Sequence, residues 1–130
     1  PGSGAAGGIA GGLHALLGVE LKPGIDVILQ AQGFEELVKK ADLLITGEGK
    51  SDQQTLMGKV PMGVLRVAQK YDVPVVLMSG IVEEKAAMLK AGFHEAIGIK
   101  TEKQSIEDAM KPGFAKHNLR NAVKILFEQS

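Results

Sequence analysis

Ile9, Leu13, Leu16 and Leu17 fall at i, i+4, i+7 and i+8, one apolar stripe that predicts a helix over residues 5–18. Gly18 is its natural stop. Lys22-Pro23-Gly24 signals a turn, and the weaker pattern beyond it predicts two short helices at 25–31 and 34–40. After Asp42 the pattern changes. Leu43-Leu44-Ile45, Val75-Val76-Leu77-Met78 and Ala96-Ile97-Gly98-Ile99 are short apolar runs without polar alternation. Strands covered on both faces of a parallel sheet read this way. The runs are expected to end at Thr46-Gly47-Glu48-Gly49, Ser79-Gly80 and Lys100-Thr101.

Helical stripes separate the strands. Val60, Val64, Val67, Ala68 and Tyr71 form one, with Arg66, Gln69 and Lys70 facing out. Residues 83–91 form the next, with Gly92 as C-cap, and Ser105 with Asp108 three residues on resembles a capping box. Pro112-Gly113 interrupts before a last helix carrying Leu119, Ala122, Val123, Leu126 and Phe127 on one face. The order β-α-β-α-β-α predicts an α/β fold, a three-layer, parallel, doubly wound sheet of Rossmann or flavodoxin-like type with helices on both faces. Residues 1–40 read as a helical segment and residues 41–130 as the Rossmann-like portion.

Composition narrows the function classes. Fifteen Lys and Arg balance 15 Asp and Glu, so no net field draws the chain to nucleic acid or to a membrane surface. Aromatic residues are 4% of the chain and Trp is absent, which removes a base-stacking platform. Without cysteine there is neither a disulfide nor thiolate-bound zinc. No run of apolar residues has membrane-spanning length, and the N-terminus lacks a signal pattern. Cytoplasm is the expected location.

In open α/β sheets ligands bind beyond the carboxyl ends of the strands, which directs attention to residues 46–59, Ser79-Gly80 and Lys100-Thr101. Gly49-Lys50-Ser51 ends like a phosphate-binding P-loop, but Leu44 stands where the first glycine belongs. Gly58-Lys59 lacks both the earlier glycine and the hydroxyl, so that motif is rejected too. The ingredients still suit an anion. Gly47 and Gly49 let backbone approach closely, and Lys50 and Lys59 supply positive charge. Glu48 and Asp52 are either chemical groups or simple partners of helix ends and lysines. A kinase needs a base near the acceptor hydroxyl and oxygen ligands for Mg²⁺, and Asp52 could serve either purpose. Gly2-Ser3-Gly4-Ala5-Ala6-Gly7 fits G-x-G-x-x-G but follows no strand, and reads better as an anion-tolerant helix start. His14, His94 and His117 have no metal-ligand spacing. Ser79-Gly80 is either a ligand contact or a tight turn.

These residues resemble the bacterial glycerate kinase family of the glycerate 2-kinase type. Pro1-Gly2-Ser3-Gly4-Ala5-Ala6-Gly7-Gly8 is similar to its P-G-[AS]-G-A-A-G-G segment, and Leu21-Lys22-Pro23-Gly24-Ile25-Asp26 to its L-x-P-G-I-D turn. The most specific likeness is Ala41-Asp42-Leu43-Leu44-Ile45-Thr46-Gly47-Glu48-Gly49 with Asp52, Gln54, Thr55, Gly58 and Lys59. The resemblance implies an ATP-dependent, Mg²⁺-requiring kinase of D-glycerate with two domains and a cleft between them. It places Gly4, Gly7, Gly47, Glu48, Gly49, Asp52, Thr55 and Lys59 on motif positions. Asp52 and Lys59 are the catalytic candidates, Asp52 doubling as a Mg²⁺ ligand. The glycines, Glu48, Thr55, Ser79 and Gly80 are candidates for substrate or phosphate binding. The family's K-D-S-x-K-G signature has no counterpart here, and Pro1 is not an initiator Met. The expectation is therefore a C-terminal portion that lacks its N-terminal partner segment, is inactive alone and could complete its sheet as a homodimer. The competing expectation is a flavodoxin-like module that holds a phosphorylated ligand without chemistry.

Overall fold

The computed structural model describes residues 4–128, so Pro1, Gly2 and Ser3 of the glycine-rich opening lie outside the described residues. A 3₁₀ turn, Ala5–Gly8, leads into α1, Ile9–Leu17. Gly18 ends α1 in the left-handed conformation, its N–H donating to the His14 carbonyl at 3.0 Å. Then follow α2, Gly24–Ala31, and α3, Phe34–Val38. Strand β1, Leu44–Ser51, is followed by the single turn α4, Gln53–Leu56, and by α5, Val60–Gln69. Strand β2, Val75–Val82, precedes α6, Lys85–Ala91, and strand β3, Glu95–Gly98, precedes α7, Ile106–Met110, and α8, Pro112–Glu128.

The described sheet is parallel with order β1-β2-β3. Leu44 pairs with Val75, Glu48 with Ser79 and Ser51 with Val82, while Val76 pairs with Glu95 and Ser79 with Gly98. Val75 through Ser79 are all buried, so the middle strand is covered on both faces, which its unalternating apolar sequence requires. The main core joins Val64, Leu65 and Ala68 of α5 to Val75 and Leu77 of β2, with Met88, Phe93 and Ala96 completing it. Of the stripe predicted on α5, Val64 and Ala68 enter the core, whereas Val60 is exposed and Leu65, which the stripe left out, is fully buried.

Two expectations are corrected. The first strand was expected to stop at Thr46 and the second at Met78, yet both continue, to Ser51 and Val82. The physical reason is a close crossing of the two backbones. A Cβ on Gly47 would lie 2.0 Å from the Met78 carbonyl oxygen, and one on Gly80 would lie 2.5 Å from that of Gly49. Glycine here permits strand pairing where the sequence suggested a break. The second correction concerns Pro112-Gly113, which opens α8 instead of interrupting before it. Proline in a first helical turn gives up an N–H that has no intrahelical partner.

The segment before β1 is fastened unevenly. Asp26 of α2 meets Arg66 of α5 at 2.6 Å, and Glu35 of α3 accepts the Tyr71 hydroxyl at 2.7 Å. Gly63 lies so close to α2 that a Cβ would meet the Ile25 side chain at 2.4 Å. By contrast α1 has no buried residue.

Candidate functional site

Beyond Ile45 the strand β1 carries Glu48 to a position beside Ser79, its register partner on β2. Partners in a parallel ladder project to the same face. Strict alternation would place Ser51 on the face opposite Glu48. The ladder has no pair at Gly49, and past it Ser51 Oγ donates to Glu48 Oε1 at 3.1 Å. The register nonetheless runs on unchanged past Gly49, and the Ser51 hydroxyl reaches the Glu48 carboxylate from the end of the strand.

Asp52 ends the strand and caps α4. Its Oδ1 accepts the Gln54 N–H at 2.9 Å, and its own N–H donates to Thr55 Oγ1 at 3.1 Å, a reciprocal capping box. That box aims the Thr55 hydroxyl at Glu48 Oε1, 2.5 Å away. Ser79 Oγ lies 2.5 Å from Ser51 Oγ. Ser51 and Thr55 are wholly buried, and Ser79 is 1% exposed. Among the described residues no buried side-chain nitrogen or oxygen lacks a partner.

Glu48 reaches the surface through its other oxygen. Oε2 faces the Lys59 ammonium at 3.8 Å, and Lys59 stands at the N-cap position of α5. The rim of the site carries further charge. Lys50 pairs with Glu83 at 2.8 Å, and Gln53 donates to Glu84 at 3.1 Å. The hydrogen bond and charge of Glu83, reinforced by Asp52, raise the pKa of Lys50 and keep it protonated. Glu84 has φ of 38°, the left-handed region, at the residue that leads into α6.

Five of the sequence candidates thus come together: Glu48, Asp52, Thr55 and Lys59 directly, and Ser79 beneath them through Ser51. Ser79 stands inside a strand and not in a turn. Gly47 and Gly80 are occupied by the strand crossing, whereas a Cβ on Gly49 would meet nothing. Gly58 has φ of 107°, a conformation that favours glycine and links α4 to α5. Gly4 and Gly7 lie in the turn before α1, and no hydrogen bond among the described residues joins them to the cluster. His14 bonds to the chain just beyond its own helix, Nδ1 lying 2.6 Å from the Val19 carbonyl oxygen. Ser51 is the participant the sequence reading left out of the site, having met it only in the rejected Gly49-Lys50-Ser51 ending. Its place just before an N-cap aspartate is the further signal that could have kept it.

A cation ligated by protein alone would need a denser donor set, and among the described residues no three His, Cys, Asp or Glu side chains converge. Mg²⁺ suits a sparser set, since it keeps waters and takes one or two carboxylates together with substrate phosphates. Asp52 meets that requirement, because Oδ2 stays outside the capping bond made by Oδ1. Among the described residues no helix is long and apolar enough to cross a membrane.

Comparison with known proteins matches residues 1–129 to the model of the glycerate kinase family. The glycerate kinase of Halalkalibacterium halodurans is 45% identical over 114 residues, covering 87% of this chain and 30% of the relative. The glycerate 2-kinase of Escherichia coli K12 is 37% identical over 115 residues, covering 88% of this chain and 30% of that protein. Among solved structures, a chain assigned as glycerate kinase 2 of Salmonella typhimurium LT2 superposes with a TM-score of 0.60 at 30% identity. The superposition covers 98% of this chain and 33% of that one. The chain spans about 30% of the length of the curated relatives it matches.

Proposed function

The chain belongs to the glycerate kinase family, and from that premise we propose that it is the C-terminal part of an ATP-dependent enzyme that phosphorylates D-glycerate on its 2-hydroxyl. In that enzyme the three strands form part of a three-layer, doubly wound sheet, and the reactants meet in a cleft between two domains. The observation that carries the reading is the cluster at the carboxyl end of β1, where Glu48, Asp52 and Lys59 lie on or beside one buried hydroxyl network. Strand ends of this kind are where open α/β sheets bind ligands.

Phosphoryl transfer asks little covalent work of a protein and much positioning and charge neutralisation. Lys59, 42% exposed at its side chain, offers an ammonium to a phosphate or to the glycerate carboxylate. Glu48 Oε2 accepts from the glycerate hydroxyl that is not phosphorylated. Asp52 takes the proton of the attacking hydroxyl or holds Mg²⁺ through its outward oxygen. Mg²⁺, when bound, neutralises charge on the phosphates of ATP.

The test is glycerate-dependent ADP release by the full polypeptide, with Asp52→Asn beside it. Asparagine caps helices about as well as aspartate, so the substitution preserves the turn while removing the charge. Release should be strong and fall at least about a thousandfold in Asp52→Asn, with the melting temperature unchanged within about 2 °C. Mass and NMR analysis of the product separates 2-phosphoglycerate from 3-phosphoglycerate. Silence with every hydroxy acid, together with binding of a phosphorylated ligand, would instead establish the non-catalytic module.

A further inference from the structure

The hydroxyls beneath Glu48 have a determined direction. A serine hydroxyl carries one proton, and an ionised carboxylate only accepts. Ser51 spends its proton on Glu48 Oε1, so Ser79, 2.5 Å from Ser51 Oγ, must donate to Ser51. The Thr55 proton goes to the same Oε1, while Thr55 Oγ1 receives the Asp52 N–H. Oε1 is thereby held by two donors from below. Among the described residues Oε2 has only Lys59, at 3.8 Å, beyond hydrogen-bonding distance, and so keeps its lone pairs for a ligand. Ser51 and Ser79, at 0% and 1% exposure, cannot themselves touch a ligand.

We propose that Ser51, backed by Ser79, is a positioning residue that fixes the Glu48 carboxylate so that Oε2 meets the glycerate hydroxyl that is not phosphorylated. This rests on the kinase reading. Neither serine contacts a reactant, and their whole effect passes through Glu48. Such dependence has a signature that a merely structural role lacks, because two residues acting through one group are non-additive.

The experiment is a double-mutant cycle in the full polypeptide, Ser51→Ala against Glu48→Ala, read as separate kcat and KM values for glycerate and for ATP. Ser51→Ala should lower kcat/KM for glycerate about tenfold, the scale of one hydrogen bond to a charged group, and leave the KM for ATP within about twofold. In the Glu48→Ala background the same change should cost less than about twofold. Ser51→Ala alone strands the buried Ser79 hydroxyl, so the cycle is repeated with Ser51→Ala/Ser79→Ala, which removes both partners and keeps the fold. Additive losses in an enzyme that turns over would overturn this inference alone. No turnover by the unsubstituted protein would overturn it together with the kinase reading.

Discussion

In α1 the side chains of Ile9, Leu16 and Leu17 are 64%, 84% and 69% exposed, whereas at the strand ends Ser51, Thr55 and Ser79 are hidden from water. The greasier region is outside and the more polar one inside. Burial of a hydroxyl costs little once it has a partner, and here each hydroxyl hands its proton to the next oxygen. Exposure of a leucine is ordinary singly, but a whole helical stripe left bare has no internal partner to bury it. The strand-end cluster is complete within these residues. The first helix is not.

The sharpest way to test the closure of the cluster is at its glycines. Gly47→Ala drives a Cβ into the Met78 carbonyl and should destabilise the full polypeptide by about 3 kcal/mol in urea unfolding. Gly49→Ala, where a Cβ meets open space, should stay within about 1 kcal/mol. Equal costs at the two positions would mean that the strand crossing is looser than described.

The contrasting substitutions belong on α1. In the 130-residue chain Leu16→Ser and Leu17→Ser should each cost less than about 0.5 kcal/mol in urea unfolding, as exposed positions do. A loss near 2 kcal/mol at either would break the comparison, because only a covered leucine gives up that much.

The smallest effect lies where the two regions are joined. The Tyr71 hydroxyl, and then the Lys70 ammonium, hold Glu35 below the usual carboxylate range. A carboxylate with a lowered folded pKa adds stability above its unfolded pKa and loses it as pH falls through the folded value. Stability should therefore decline below the ordinary carboxylate range, and Glu35→Gln should flatten a small part of that decline. An unchanged acid limb in the variant would show that the link between α3 and Tyr71 contributes nothing.

Much of this was legible beforehand. Val64 and Ala68 on the core side of α5, the left-handed stops at Gly18 and Gly92, and the Ser105 cap all follow local rules of spacing and turn chemistry. The unbroken run from Val75 to Met78 announced a strand buried on both faces. At the site, Glu48, Asp52, Thr55 and Lys59 were singled out, but their mutual geometry was not. Thr46-Gly47-Glu48-Gly49 looks like a loop because glycine is a poor strand former, and only a neighbouring backbone pressing on Gly47 makes it the right residue. Ser51 was dropped with the rejected Gly49-Lys50-Ser51 ending for a related reason, since a serine shows no sign of burial until its partner across the sheet is known.

By itself the sequence determined the order of the main strands and helices and the family, because periodicity, caps and motifs are properties of neighbours in the chain. Tertiary structure alone decided how far β1 and β2 run, which hydroxyls lie under Glu48 and that α1 shows its apolar face to solvent. These depend on strand register and on what covers each surface, quantities fixed between residues far apart in the chain.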